Sequence, residues 1–99
     1  MAEVIWTEPA LNALDEIADH ITLDDYDAAC RLVRRVFEKV ELLEGNSKLG
    51  KIPRELRHTP YRRLLVKPVY IYYRLEHDDI VIIFVDRSER DFDISRFSR

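Results

Sequence analysis

The side chains in this sequence best equipped to act on another molecule are cations and tyrosines. Arg62, Arg63, Lys67, Tyr70, Tyr72 and Arg74 fall within thirteen residues, and Arg87 and Arg90 follow with Glu89 between them. Arg, Lys, Tyr and Glu suffice for a metal-free cleavage of a phosphodiester, with Arg62, Arg63, Lys67, Tyr70, Arg87, Glu89 and Arg90 as the material. Cations would hold the negative charge added in the transition state while a neighbouring group moves a proton. The same inventory occurs on any basic surface that grips an acidic partner, so it permits the reaction without pointing to it. The sequence has no Gly-rich phosphate loop, no nucleophile elbow, and no His at short spacing from a suitable Ser or Cys. Its paired carboxylates, Asp24-Asp25 and Asp78-Asp79, sit in expected reversals, where turn formation explains them.

Metal and redox chemistry are not expected. His20, His58 and His77 lie 38 and 19 residues apart, and Cys30 completes no cluster with them. No cofactor is implied. A single cysteine cannot close an internal disulfide, which agrees with a reducing compartment. The start, Met1-Ala2-Glu3-Val4, has no basic flank before an apolar run, so no secretory signal is read there. The longest apolar stretch, Ile80 to Val85, is far short of the ~20 residues a membrane span needs. A cytoplasmic chain with no membrane partner is expected, and 99 residues fit one domain, 1–99.

The total charge of −3, from 16 Lys and Arg against 19 Asp and Glu, conceals an asymmetry. Residues 1–50 hold five cations and eleven anions, whereas residues 51–99 hold eleven and eight. From Lys48 to Arg74 there are eight cations and one anion, Glu55, a local +7 in 27 residues. An acidic partner feels such a field within a Debye length, ~8–10 Å. Charge alone leaves an acidic peptide, a nucleic acid and a merely solvated face open.

The elements that must position these residues follow from periodicity. Glu3-Val4-Ile5-Trp6 reads as a short strand. Thr7 then supplies an N-cap oxygen, Glu8 a first-turn charge, and Pro9 needs no donor there. Ala10, Leu11, Leu14, Ile17, Ala18 and Ile21 have the 3–4 spacing of one helical face. Leu23-Asp24-Asp25 breaks the pattern, and either aspartate can cap a second helix. Its expected seam is Tyr26, Ala29, Val33, Val36, Val40 and Leu43, packed within the chain, with Gly45-Asn46 as the C-terminal cap. The two form a helical hairpin.

Residues 46–60 read as a connecting loop with one helical turn at Arg54–Arg57. From Tyr61 the period becomes that of strands. Pro68 marks a turn, Val69 to Leu75 forms the next strand with Val69, Ile71, Tyr73 and Leu75 on one face, and Glu76–Asp79 reverses the chain. Ile80 to Val85 must be a central strand, since an exposed edge of that composition would aggregate. The expected fold is α+β: an N-terminal strand, a helical hairpin and a three-strand antiparallel meander, forming one sheet covered by the helices. The opposite face would carry Tyr70, Tyr72 and Arg74 beside Arg63 or Lys67, either gripping a partner or covered by the chain's own tail. Phe92, Ile94 and Phe97 of that tail share no ideal helical face, so docking against the sheet or a partner suits them better than solvent.

Taken in order, Val4-Ile5-Trp6-Thr7-Glu8-Pro9-Ala10 with Leu14 and Ile17, Tyr61-Arg62-Arg63-Leu64, Tyr73-Arg74, and Ile80–Val85 into Asp86-Arg87-Ser88-Glu89-Arg90-Asp91 resemble the ParE/RelE superfamily of bacterial toxins. The resemblance covers nearly the whole chain. It implies the toxin of a type II toxin–antitoxin pair, neutralised by a cognate antitoxin protein. RelE-like members cut messenger RNA in the ribosome with basic and aromatic residues. ParE-like members inhibit DNA gyrase, halt replication and arrest growth, as in plasmid stabilisation.

Departures favour the ParE branch. The family's middle strand usually reads Tyr-Arg-Val-Ile-Tyr, with its arginine in the RelE nuclease set; here Tyr70 takes that place. Glu89 interrupts the later Arg-rich motif, and Ile94 stands near the expected tail tyrosine. Losing one transition-state cation costs about 3–4 kcal/mol, and a net −3 suits a phosphate-rich ribosome poorly. The resemblance thus implies a gyrase inhibitor that acts by binding; a RelE-like endoribonuclease and a degenerate, non-toxic antitoxin-binding domain are the alternatives. Arg62, Arg63, Lys67, Tyr70, Tyr72, Arg74, Arg87 and Arg90 are the expected antitoxin or target contacts, with no catalytic residue assigned. The antitoxin would bring an acidic C-terminal segment to the Lys48–Arg74 patch, and direct DNA binding is not expected without it.

Overall fold

The computed structural model of the chain describes residues 2–97. Met1, Ser98 and Arg99, and with them the first residue of the expected signal-free start and the end of the tail, lie outside the described residues. The element order is β1 (Val4–Trp6), α1 (Glu8–Thr22), α2 (Tyr26–Glu41), β2 (Tyr61–Val66), β3 (Val69–Glu76) and β4 (Asp79–Arg87). Short 3-10 turns at Leu42–Glu44, Arg54–Leu56 and Ile94–Phe97 complete it.

The helices begin where their capping chemistry allows. Thr7 accepts the Ala10 N–H at 3.4 Å, and its hydroxyl donates to the Ile82 carbonyl at 2.7 Å, tying the start of α1 to β4. Asp25 caps α2 by accepting the Ala28 N–H at 3.0 Å. The end of α2 differs from the expected glycine cap. Gly45 has a φ of −93°, and the helix unwinds through a 3-10 turn in which Gly45 and Asn46 both donate to the Leu42 carbonyl. A tightened last turn satisfies the orphan carbonyl, so no left-handed residue is needed.

The sheet has four strands in the order β1-β4-β3-β2. β1 runs parallel to β4, with Val4 opposite Ile80 and Trp6 opposite Ile82, while the other two pairings are antiparallel. The Ile80–Val85 run is therefore internal, as its composition demands. It is not regular: Tyr73 faces Ile82 and Tyr72 faces Phe84, leaving Ile83 as an extra residue. This bulge turns Val85 into the helix-side core and places Phe84 and Asp86 on the other face, beside Tyr72 and Tyr70.

α1 lies on β4 and α2 packs beside it. The core joins Ala10, Leu14 and Ile17 of α1 to Leu32, Val36 and Val40 of α2, and to Val69, Ile71, Tyr73, Ile80, Ile82 and Val85 of the sheet. The seam of α2 is rotated from the expected one. Leu32 is buried, whereas Tyr26 is 67% exposed and Val33 half-buried. Ala29, Leu32, Val36, Val40 and Leu43 form the buried stripe, the last four within the core that packs on the sheet. Tyr26 and Val33 instead border a shallow surface groove with Ala18 of α1. Leu11, expected on the buried face of α1, is 40% exposed.

Candidate functional site

Two linked surfaces carry the polar chemistry. On the sheet face away from the helices, the Arg63 guanidinium lies 4.0 Å from the centre of the Tyr70 ring and donates to the Tyr72 hydroxyl at 3.3 Å. Burial pushes the Tyr72 phenol above its ordinary pKa, against the pull of Arg63. Arg74, further along β3, faces Glu76 at 3.6 Å.

The chain's own tail covers this face. The Phe92 and Phe97 rings are stacked, 5.5 Å apart at 11°, and Phe97 also packs on Tyr61 and Tyr72, at 5.4 and 5.0 Å. Tyr72 is left 5% exposed. Asp86 anchors the tail: its carboxylate, on a residue 8% exposed, accepts the Arg87 N–H at 2.8 Å and faces Arg90 at 3.6 Å and Arg96 at 3.7 Å. Arg96 also lies over the Phe84 ring at 4.7 Å. Asp93 accepts both the N–H and the hydroxyl of Ser95, which hold its carboxyl below the usual range and start the last turn. A cleft of about 560 Å3 between α1 and the end of β4 collects Glu16, His20, Arg87, Glu89, Arg90 and Arg96. Its charges are of both signs, so it presents no one-sided field.

The second surface is a groove of about 480 Å3 beside β2. Lys39 of α2, Lys51 and Arg63 line it without any acidic residue, around the apolar Leu49, Ile52 and Leu65. These three apolar residues are 40%, 45% and 44% exposed.

The eight expected contact residues thus separate. Arg63, Tyr70 and Tyr72 come together. Arg87 and Arg90 meet at the α1–β4 cleft, away from the groove. Lys67 sits at the cis-proline turn, where its carbonyl accepts from Arg35 at 2.6 Å. Arg62 serves the interior instead: it donates to the carbonyls of Gly50 at 2.8 Å and Lys48 at 3.4 Å, holding the 48–50 loop. The sequence reading did not single out Lys39, Lys51, Leu49, Ile52 or Leu65. The one signal for the last four was the cation excess from Lys48 onward, which gives no register, and Lys39 on α2 lies outside it. Among the described residues, no group of three or more His, Cys, Asp or Glu is placed to hold a metal ion. No helix among them is long and apolar enough to cross a membrane.

The family model for the ParE toxin of the parDE type II toxin–antitoxin system matches residues 4–92. The chain belongs to the ParE toxin family. Y4kP, a candidate toxin of Sinorhizobium fredii (strain NBRC 101917 / NGR234), is 38% identical over 73 residues, which are 74% of this chain and 75% of that relative. A solved chain described as the chromosomal ParDE TA system from P. aeruginosa superposes with a TM-score of 0.77 at 28% identity, covering 90% of this chain and 98% of that one. The ParE match runs from β1 to Phe92, and so includes the groove beside β2 and the Asp86 anchor.

Proposed function

We propose that this ParE-family toxin works in the cytoplasm by binding DNA gyrase and halting replication, and that a cognate antitoxin neutralises it through an acidic segment. Family membership supports the target. The observation that carries action by binding is how the cations on the far side of the sheet are engaged. Arg63 is held between Tyr70 and Tyr72, and Arg90 and Arg96 share the Asp86 carboxylate. A phosphodiester transition state needs uncommitted cations converging on one point. These are neutralised or stacked before any ligand arrives, while Tyr70 holds the strand position at which RelE-like nucleases carry an arginine.

The antitoxin half of the reading rests on charge. The groove beside β2 is cationic and apolar without a carboxylate among its lining residues, which favours an acidic, amphipathic partner. A supercoiling assay with purified gyrase and antitoxin-free toxin tests the target. Inhibition at micromolar toxin, relieved by the antitoxin, is expected. Unimpaired supercoiling without trapped cleavage complexes would count against it, and cut messages in translating ribosomes would move the chain to the RelE activity. Free toxin that leaves growth unaffected would identify a domain kept only for antitoxin binding.

A further inference from the structure

β2 is an edge strand of the sheet, and its outer edge is partly engaged by the chain itself. The connecting loop touches it through an isolated bridge, in which Lys51 and Arg63 exchange both backbone hydrogen bonds at 2.8 Å. Antiparallel alternation then fixes the rest of the edge. Tyr61, two residues before Arg63, donates its outward N–H to the Thr59 hydroxyl at 3.2 Å. Lys67, four residues after it, has its carbonyl held by Arg35. Between these ends Leu65 directs its N–H and C=O outward, away from β3. The loop does not follow it there, because the Gly50 N–H is drawn inward to the Tyr73 hydroxyl at 2.8 Å. Leu49 and Leu65 instead both line the cationic groove.

We infer that the acidic partner segment docks by adding an extended strand to the β2 edge at Leu65. One apolar side chain enters between Leu49, Ile52 and Leu65, and carboxylates lie against Lys39, Lys51 and Arg63. This rests on the antitoxin reading above and deepens it, by choosing the edge over the tyrosine face. The choice follows from occupancy: Phe92 and Phe97 already cover Tyr72, whereas the edge combines unpaired backbone groups, exposed apolar surface and charge of one sign. An added strand satisfies the first, buries the second and complements the third.

The test is amide hydrogen exchange on the full chain, free and in complex with its cognate antitoxin, together with affinities of variants. Exchange at Leu65 slows by about a hundredfold or more in the complex, on the scale of amides drawn into a stable ladder. Leu65→Pro removes the outward N–H but no hydrogen bond to β3, so the strand tolerates it. It weakens binding by about tenfold, whereas Leu65→Thr, which keeps the N–H, costs less than about threefold. Lys39→Glu with Lys51→Glu weakens binding by about thirtyfold or more. An antitoxin that binds while Leu65 exchange is unchanged, with protection at Tyr70–Tyr72 instead, overturns the edge site and leaves the toxin reading intact. A wild-type chain that binds no antitoxin overturns both.

Discussion

The Tyr73 hydroxyl accepts the backbone N–H of Gly50 at 2.8 Å and donates to the Ser47 carbonyl at 2.9 Å. A fully buried β3 side chain thus reaches through the sheet edge to hold the loop that forms one wall of the groove. The approach is close enough to specify glycine. A Cβ on residue 50 would meet the Tyr73 ring and hydroxyl at 2.7 Å and the Arg63 carbonyl at 2.8 Å.

Gly50→Ala is therefore expected to destabilise the chain by about 1–3 kcal/mol, because backbone on one side and a buried ring on the other leave nothing free to move. Tyr73→Phe, which leaves the Gly50 N–H unsatisfied, costs about 1–2 kcal/mol. Urea unfolding checks both. A midpoint unchanged for Gly50→Ala would mean that the loop can retreat from β3.

Alkali should act through the same ring. Burial raises the Tyr73 phenol above its ordinary pKa of 10.0, against the Gly50 hydrogen bond and Arg62, which lower it. The folded state holds that proton more tightly than the unfolded state, so the contribution is complete below about pH 10 and falls as pH climbs from there toward the folded pKa. Thermal melts from pH 8 to 11 should show the decline, with Tyr73→Phe declining less steeply. Tyr72, raised by its own burial, adds in the same direction.

Adjacent arginines should give opposite phenotypes. Arg62→Ala removes donors to the Gly50 and Lys48 carbonyls and lowers stability by about 1–2 kcal/mol. Arg63→Ala loses a cation stacked on Tyr70, about 0.5–1 kcal/mol in stability, and the groove cation as well. Antitoxin affinity should fall more for Arg63→Ala, and the melting temperature more for Arg62→Ala. Parallel calorimetric titrations and melts decide it.

Asp86→Asn keeps an acceptor for the Arg87 N–H but removes the charge shared by Arg90 and Arg96. Faster exchange and earlier proteolytic cleavage over residues 90–97 are expected, with global stability lower by about 1 kcal/mol. A tail as protected as wild type would assign its docking to Phe92 and Phe97 alone.

Much of this architecture was legible in the sequence because it is local. Thr7 and Asp25 announce their helices by side chains that bond within three residues. The apolar density of Ile80–Val85 demands an internal strand whatever its neighbours. The features that escaped depend on partners far along the chain. Leu32 rather than Val33 faces the sheet because of how α2 is turned against it. The Ile83 bulge, which decides that Asp86 lies beneath the tail, has no signature in a run of β-branched residues. Arg62 and Arg63 are chemically alike, and strand alternation sends them to opposite faces. The cation excess marked the region of the groove, but its shape comes from Tyr73 pulling on Gly50, a contact across 23 positions.

The parallel pairing of β1 with β4 has a consequence in time. Thr7 is fixed to the Ile82 carbonyl by bonds between residues 75 positions apart, and among the described residues β1 pairs with no other strand. During synthesis, the helical hairpin emerges and has to wait, with β1 idle, until β4 has cleared the ribosome. A truncated translation product that lacks β4 keeps only the β2–β3 hairpin, with no partner strand for β1 and no β4 beneath α1. The sheet order therefore delays closure of the toxin's four-stranded sheet until almost the whole chain has been made.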